Sequence, residues 1–197
     1  LYHSFSDSFD DHKFKAQSIV NYKLNRKNIF QAGVTYTHSV YKFFEWEDEN
    51  ETGNLVRTMD ASGSAGMVQS FVSWKYRASN DLTFVSGVHH TSFLLNNNSA
   101  VEPRFGVKWK PAVRHSLSLG FGMHSRLESI STYLYNQLQP DGTYWMPNRD
   151  LELSKSSHLV AGYGFQLSEN LHAKTEVYYQ HLYNIPCLLY TSDAADE

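Results

Sequence analysis

Histidine, ten copies in 197 residues, is the residue here with the most chemistry to offer. Metal capture needs imidazoles at ligand spacing, and acyl-transfer chemistry needs a base beside a nucleophile. His89 and His90 are neighbours, so on an extended chain they point to opposite sides and cannot chelate together. His115, His124, His158, His172 and His181 are scattered. His-Ser pairs occur at His3-Ser4, His38-Ser39, His115-Ser116 and His124-Ser125, yet adjacent strand residues face apart. None is a nucleophile–base pair by itself, so no catalytic residue, metal ligand set or cofactor is expected. Glu45, Glu47, Asp48, Glu49 and Glu51 form an acidic run that reads as a solvated loop. Asn50-Glu51-Thr52 and Asn97-Asn98-Ser99 match glycosylation sequons and carry little weight here. The candidate ligand-contact residues lie between 127 and 151: Tyr133, Tyr135, Tyr144 and Trp145, among Gln137, Gln139 and Asp141. Flat rings stack on cyclic solutes while amides and carboxylates fix their orientation. The competing expectation is a loop that packs on itself.

Bulk composition narrows the setting. Charged residues make up 19 %, aromatics 15 %, and the formal net charge is −3. So many aromatics argue against a disordered tail, and the charge argues against a nucleic-acid partner. No stretch approaches the ~18 apolar residues of a membrane helix. Strands that cross a membrane alternate apolar and polar residues, so their average hydropathy is unremarkable. A single Cys makes neither an internal disulfide nor a paired-Cys zinc site. The first residues, LYHSFSDSFDDH, contain no Met and no signal-peptide h-region, which reads as a fragment without its true start.

Period-two alternation, repeated along the chain, is the dominant pattern. In 13–24, Phe14, Ala16, Ser18, Val20, Tyr22 and Leu24 oppose Lys13, Lys15, Gln17, Ile19, Asn21 and Lys23. A strand separates these sets; a helix would mix them. Further alternating runs fall at 29–46, 66–77, 82–95, 101–110, 115–126, 152–166 and 171–185. Each is about ten residues or longer, against about five or six for an ordinary globular strand. About nine to eleven tilted residues cross a bilayer. Tight turns near 25–28, 79–81, 111–114 and 168–170 alternate with connections at 47–65, 96–100 and 127–151, two of them long. Short turns at one end and long loops at the other are the asymmetry of an outer-membrane barrel, with the short turns in the periplasm. Tyr22, Trp74, Tyr76, Trp109 and Phe165 sit near the short turns, where an interfacial girdle belongs. The expected fold is therefore all-β: an antiparallel transmembrane β-barrel, of which the chain supplies about eight strands. Phe105, Val107, Trp109, Leu117, Leu119 and Phe121 are expected to face lipid. Glu102, Arg104, Lys108, Lys174 and Glu176 are expected to face a wet lumen, paired across strands or against whatever fills it. A soluble sandwich or barrel is the alternative, but it would fill its interior with apolar side chains.

Two segments also resemble a known family. EPRFGVKWKPAVRHSLSLGFGMHSR (102–126) and DLELSKSSHLVAGYGFQLSENLHAKTEVYYQHLYNIP (150–186) are similar to barrel segments of TonB-dependent outer-membrane receptors, closest to the carboxypeptidase-regulatory-like subgroup with a plug domain. The resemblance is good over roughly 100–186 and rests on pattern alone over 12–95. It implies a barrel of about 22 strands, with an N-terminal plug and a TonB box that this chain does not contain. It also implies an outer-membrane address in a Gram-negative bacterium. Active import of a siderophore, vitamin or oligosaccharide would run through lipid, ligand and TonB-complex partners. A passive porin, an outer-membrane barrel enzyme and a soluble lectin-like β domain are the alternatives.

Residues 187–197, CLLYTSDAADE, break the alternation. They resemble a translated sequencing adapter, so the barrel piece is expected to cover 1–186 and the tail to be non-native. The alternative is a natural strand, Cys187 to Tyr190, with an acidic terminus.

Overall fold

Alternation over runs this long leaves the backbone one economical solution, an extended strand bonded on both sides to strands of the same kind. A computed structural model describes residues 6–47 and 55–186. Eight strands form one antiparallel sheet in chain order: β1 (Ser6–Lys23), β2 (Asn28–Glu47), β3 (Val56–Arg77), β4 (Leu82–Phe93), β5 (Asn98–Ala112), β6 (His115–Arg126), β9 (Ser154–Gln166) and β10 (His172–Tyr183). Between β6 and β9 lie a single helical turn, α1 (Ile130–Tyr133), and a small hairpin of β7 (Gln137–Leu138) and β8 (Tyr144–Trp145). Among the described residues the sheet is open, with β1 and β10 at its edges. No described helix is long and apolar enough to cross a membrane.

The turns expected from polar clusters are built by side chains that take over backbone donors. Asn25 Oδ1 accepts the amides of Lys27 and Asn28 at 2.9 and 2.8 Å. Ser79 Oγ accepts those of Asp81 and Leu82, each at 3.1 Å. Two elements differ from the sequence expectation. Strand β1 begins at Ser6 rather than near 13, and β3 begins at Val56 rather than 66. The connection expected over 47–65 is correspondingly shorter. Its residues Arg57, Ala61 and Ser64 pair with β2 instead of looping, because β2 stays extended to Glu47 and supplies a template. Asp48, Glu49, Asn50, Glu51, Thr52, His3, Ser4 and the tail 187–197 lie outside the described residues.

One row of paired residues crosses the whole sheet: Tyr22, Phe30, Trp74, Ser86, Phe105, Phe121, Leu159 and Tyr179. Tyr22 is one residue from the end of β1, whereas Tyr179 is seven residues into β10. That stagger is about 20 Å over roughly 33 Å of sheet width, a tilt near 30°. Barrel walls have strand tilts of about 35–45°.

Candidate functional site

Every second residue of each strand falls on the convex face, and the register joins these positions into one surface. A second row runs Phe84, Val107, Leu119, Ala161, Val177, and a third Leu82, Trp109, Leu117, Tyr163, Thr175. The structure thus places Phe105, Val107, Trp109, Leu117, Leu119 and Phe121 side by side on one face. Leu119 is 47 % exposed and Phe121 41 %, with no protein layer over them. Tyr22, Phe30, Trp74, Tyr76 and Phe84 gather near the short turns. Phe30 stacks on Trp74 at 6.2 Å, Trp74 on Tyr76 at 5.5 Å, and the Trp74 indole N–H donates to Asn28 Oδ1 at 2.9 Å. A ring with one polar tip suits a boundary that is apolar on one side and wet on the other.

Glu102, Arg104, Lys108, Lys174 and Glu176 all fall on the opposite, concave face. Lys174 Nζ pairs with Glu176 at 2.7 Å, both exposed. Glu102 differs from the wet lumenal carboxylate expected of it, being only 3 % exposed. The cause is an interrupted ladder. Pro103 has no N–H to donate, and the β5–β6 ladder stops one residue short of it, at Arg104–Gly122. Strand β6 continues to Arg126 with only β9 as partner, so the Ser125 amide needs another acceptor. The Glu102 carboxylate supplies it. Its Oε1 accepts the Ser125 amide at 3.1 Å and the Ser125 hydroxyl, while Oε2 meets Arg104 Nη2 at 2.8 Å and His89 Nδ1 at 3.0 Å. Arg104 Nη2 also lies 3.3 Å from His124 Nδ1, and His124 meets His158 edge-on at 5.0 Å. Sequence reasoning picked Glu102 and Arg104 but not the histidines around them, which only register brings together. The Glu-Pro-Arg order was the available signal: a proline inside a strand marks an interrupted ladder.

The concave face also carries an apolar half that the alternation did not announce. Towards the long connections Tyr41, Phe43, Met59 and Phe93 point inward and meet Ile130, Tyr133 and Leu134 of the segment between β6 and β9. That segment therefore folds back over the wall. Asn136 N donates to Thr58 O at 2.8 Å, Asn98 Nδ2 to Leu151 O at 2.8 Å, and Asn96 Nδ2 to the Arg149 and Leu151 carbonyls at 3.2 and 3.1 Å. Tyr133, expected among the ligand-contact rings, is instead fully buried against Phe93, ring centroids 5.2 Å apart. Burial raises its phenol pKa, and its ring is closed to any solute. Tyr135 is half-buried. Tyr144 and Trp145 stay exposed on the small hairpin, at 41 and 56 %. The hairpin turns at Gln139-Pro140-Asp141-Gly142, with Gly142 at φ +82° and its amide donating to Gln139 O at 2.9 Å. Thr143 donates both its hydroxyl and its amide to Asp141, at 2.6 and 2.9 Å, which holds that carboxyl below its ordinary pKa. Pairing sets Tyr144 with Leu138 and Trp145 with Gln137, on opposite sides of the hairpin. The Arg57 guanidinium lies 4.7 Å from the Tyr144 ring centre, leaving Trp145 as the ring most open to solute.

Ser156 Oγ lies 3.0 Å from His158 Nε2, a contact of the nucleophile–base type. No hydrogen bond to a carboxylate orients this imidazole among the described residues. No group of three or more His, Cys, Asp or Glu able to hold a metal ion occurs among them either.

A solved structure described as copper transporter OprC superposes on 89 % of this chain with a TM-score of 0.64, at 12 % identity. The fold is that of an outer-membrane barrel wall. The chain spans 30 % of the length of that structure. No family model matches the sequence, and no curated protein matches it.

Proposed function

We propose that this chain forms part of the barrel wall of an outer-membrane importer in a Gram-negative bacterium, one that takes up a scarce nutrient with energy passed through TonB. The observation that carries the membrane reading is the broad apolar belt on the convex face, exposed from β1 to β10 and interrupted by small polar residues such as Ser70 and Ser86, with charges of that face such as Asp10, Lys42 and Asp60 kept to its long-connection end. Water would penalise so large a bare patch, whereas hydrocarbon accommodates it. Import by way of TonB rests on the resemblance of 102–126 and 150–186 to TonB-dependent receptors. The barrel likeness supports a transport role of some kind. The wall itself does no covalent chemistry in this reading. It supplies a lipid-facing belt, a concave lining and, at Tyr144 and Trp145, rings near the outer rim for a ligand to stack on.

Cysteine labelling tests the placement. In outer membranes carrying the full reading frame, a cysteine at Phe121 should react poorly with an aqueous maleimide, and one at Tyr144 should react readily from outside the cell. The reverse pattern would refute the assigned faces. Energy-dependent uptake that stops when TonB is deleted would separate an active importer from a passive pore.

A further inference from the structure

In the long-connection half of the concave face, hydrogen-bond donors gather without acceptors. Register sets Arg104 of β5, Gly122 of β6, His158 of β9 and Gln180 of β10 in one cross-strand row. His124 stands two residues further along β6, on the same face, paired with Ser156 in the next row. A guanidinium can only donate, so the 3.3 Å contact of Arg104 Nη2 with His124 Nδ1 leaves the lone pair on Nδ1 and the proton on Nε2. That Nε2–H reaches back over Gly122, where a Cβ would lie 3.2 Å from it. His158 Nε2 is held by the Ser156 hydroxyl at 3.0 Å, which leaves Nδ1 for another partner. Among the described residues, His124 Nε2, His158 Nδ1, Arg104 Nε and Nη1 and the Gln180 amide have no hydrogen-bond partner.

Beside these donors, on the short-turn side, the wall leaves open space. Gly106 and Gly120 pair directly in the next row, and Val160 follows them on β9. A Cβ at Gly120 would meet nothing within 4 Å, and one at Gly106 only the Leu119 carbonyl at 3.8 Å. No carboxylate of the described wall answers the donors. Glu102 is 3 % exposed and already takes Arg104, His89 and Ser125, and Glu176, two rows away, takes Lys174. Arg104 and His158 are two strands apart, about 10 Å. A carboxylate or phosphate set between them accepts from both and from His124, in charge-assisted bonds of about 2.7–2.9 Å. A cation there would meet the Arg104 charge at close range.

We propose that Arg104, His124, His158 and Gln180, beside the glycine floor of Gly106 and Gly120, form a binding site for an oxyanion, a carboxylate or phosphate borne by a solute. Taking that solute as the imported nutrient rests on the reading given under Proposed function; the site itself rests on the wall's geometry.

Purified full-length protein provides the test, with diethyl pyrocarbonate, which acylates accessible imidazoles, and mass spectrometry to locate the products. His124 and His158 should react in chloride buffer and be protected at least fivefold by inorganic phosphate or by citrate at equal ionic strength. Protection by phosphate alone assigns a phosphate, and by citrate alone a carboxylate. His172, exposed on the same face, should react equally in every buffer. Glucose should protect neither ring. Gly120→Leu fills the floor where a Cβ has no neighbour, so heat-modifiable gel mobility should be kept and the protection lost. His158→Phe, which leaves the Glu102 contacts in place, should weaken the protection of His124. Equal reactivity in chloride, phosphate and citrate would overturn the proposal. So would protection by glucose, protection of His124 undiminished in both variants, or rings that stay unreactive in chloride. Uptake in cells lacking TonB is measured separately: protection without TonB-dependent uptake keeps the site and removes the importer, and uptake without protection does the reverse.

Discussion

Replacing Leu119 with arginine puts the membrane assignment at its greatest risk. The side chain lies in the row Phe84, Val107, Leu119, Ala161, Val177, half exposed and apolar on both flanks. It stands four residues above His115, where β6 leaves its short turn. At about 3.3 Å per residue and a tilt of 30–40°, that is roughly 11 Å above the turn, near the middle of a belt about 25 Å tall. An arginine at that depth costs about 2–4 kcal/mol, a shift of roughly thirty- to several-hundred-fold in the assembly equilibrium. Ser118, next along the chain, points to the concave face beside Lys108. An arginine there meets water and one like charge, for about 1 kcal/mol at most. Assembly of the full-length protein can be followed by heat-modifiable gel mobility of outer-membrane fractions, with urea titration of refolding into vesicles for the free energy. Leu119→Arg should lose assembly and Ser118→Arg should nearly keep it. Equal losses, or an unaffected Leu119→Arg, would refute the two-solvent reasoning.

Glu102→Ala should leave the Ser125 amide without its acceptor while Arg104, 46 % exposed, turns to water, and cost about 1–3 kcal/mol, measured as the urea midpoint; Glu102→Gln, which keeps one carbonyl acceptor, should lose less. Tyr133→Ala should remove a fully buried ring and cost about 3–5 kcal/mol locally. The readout is protease cleavage between 127 and 153 with gel mobility of the wall unchanged. Asn96→Ala paired with Asn98→Ala should release the same segment by removing three hydrogen bonds to the Arg149 and Leu151 carbonyls, accelerating amide exchange there. Trp145→Ala should leave assembly untouched, since the indole is 56 % exposed, and should weaken uptake of any ring-bearing nutrient that stacks on it. Unchanged uptake of the protein's own nutrient would remove Trp145 from the contact surface.

Strand identity, chain-order pairing and the two faces could be read from the sequence because all three follow from one local rule. Side chains alternate at period two, and Phe105, Val107, Trp109 against Arg104, Gly106, Lys108 displays that rule without any distant partner. The tight turns were legible for a similar reason, since Asn25 and Ser79 reach donors only two or three residues away. Alternation failed near the long connections. In the run Tyr41, Lys42, Phe43, Phe44, Glu45, Trp46 both alternating sets contain rings, so nothing local said which set would be covered.

What lay beyond the sequence depended on residues far apart in the chain. Tyr133 looked like a ligand ring because aromatic loops often are, and became core because Phe93, Phe43 and Met59 converge on it from three strands. Glu102 looked like a wet lumenal charge, and was drawn in because the β5–β6 ladder ends at Arg104 and leaves Ser125, on the next strand, with an unmatched amide. Lys23, Lys75, Arg77 and Lys108 are individually ordinary surface cations; register alone sets them on one side of one end. A chain fixes, residue by residue, which way each side chain points, since that is set by the stereochemistry of its own backbone. Only the assembled sheet decides what each side chain meets there, because the partner comes from another strand at a register that no local segment specifies.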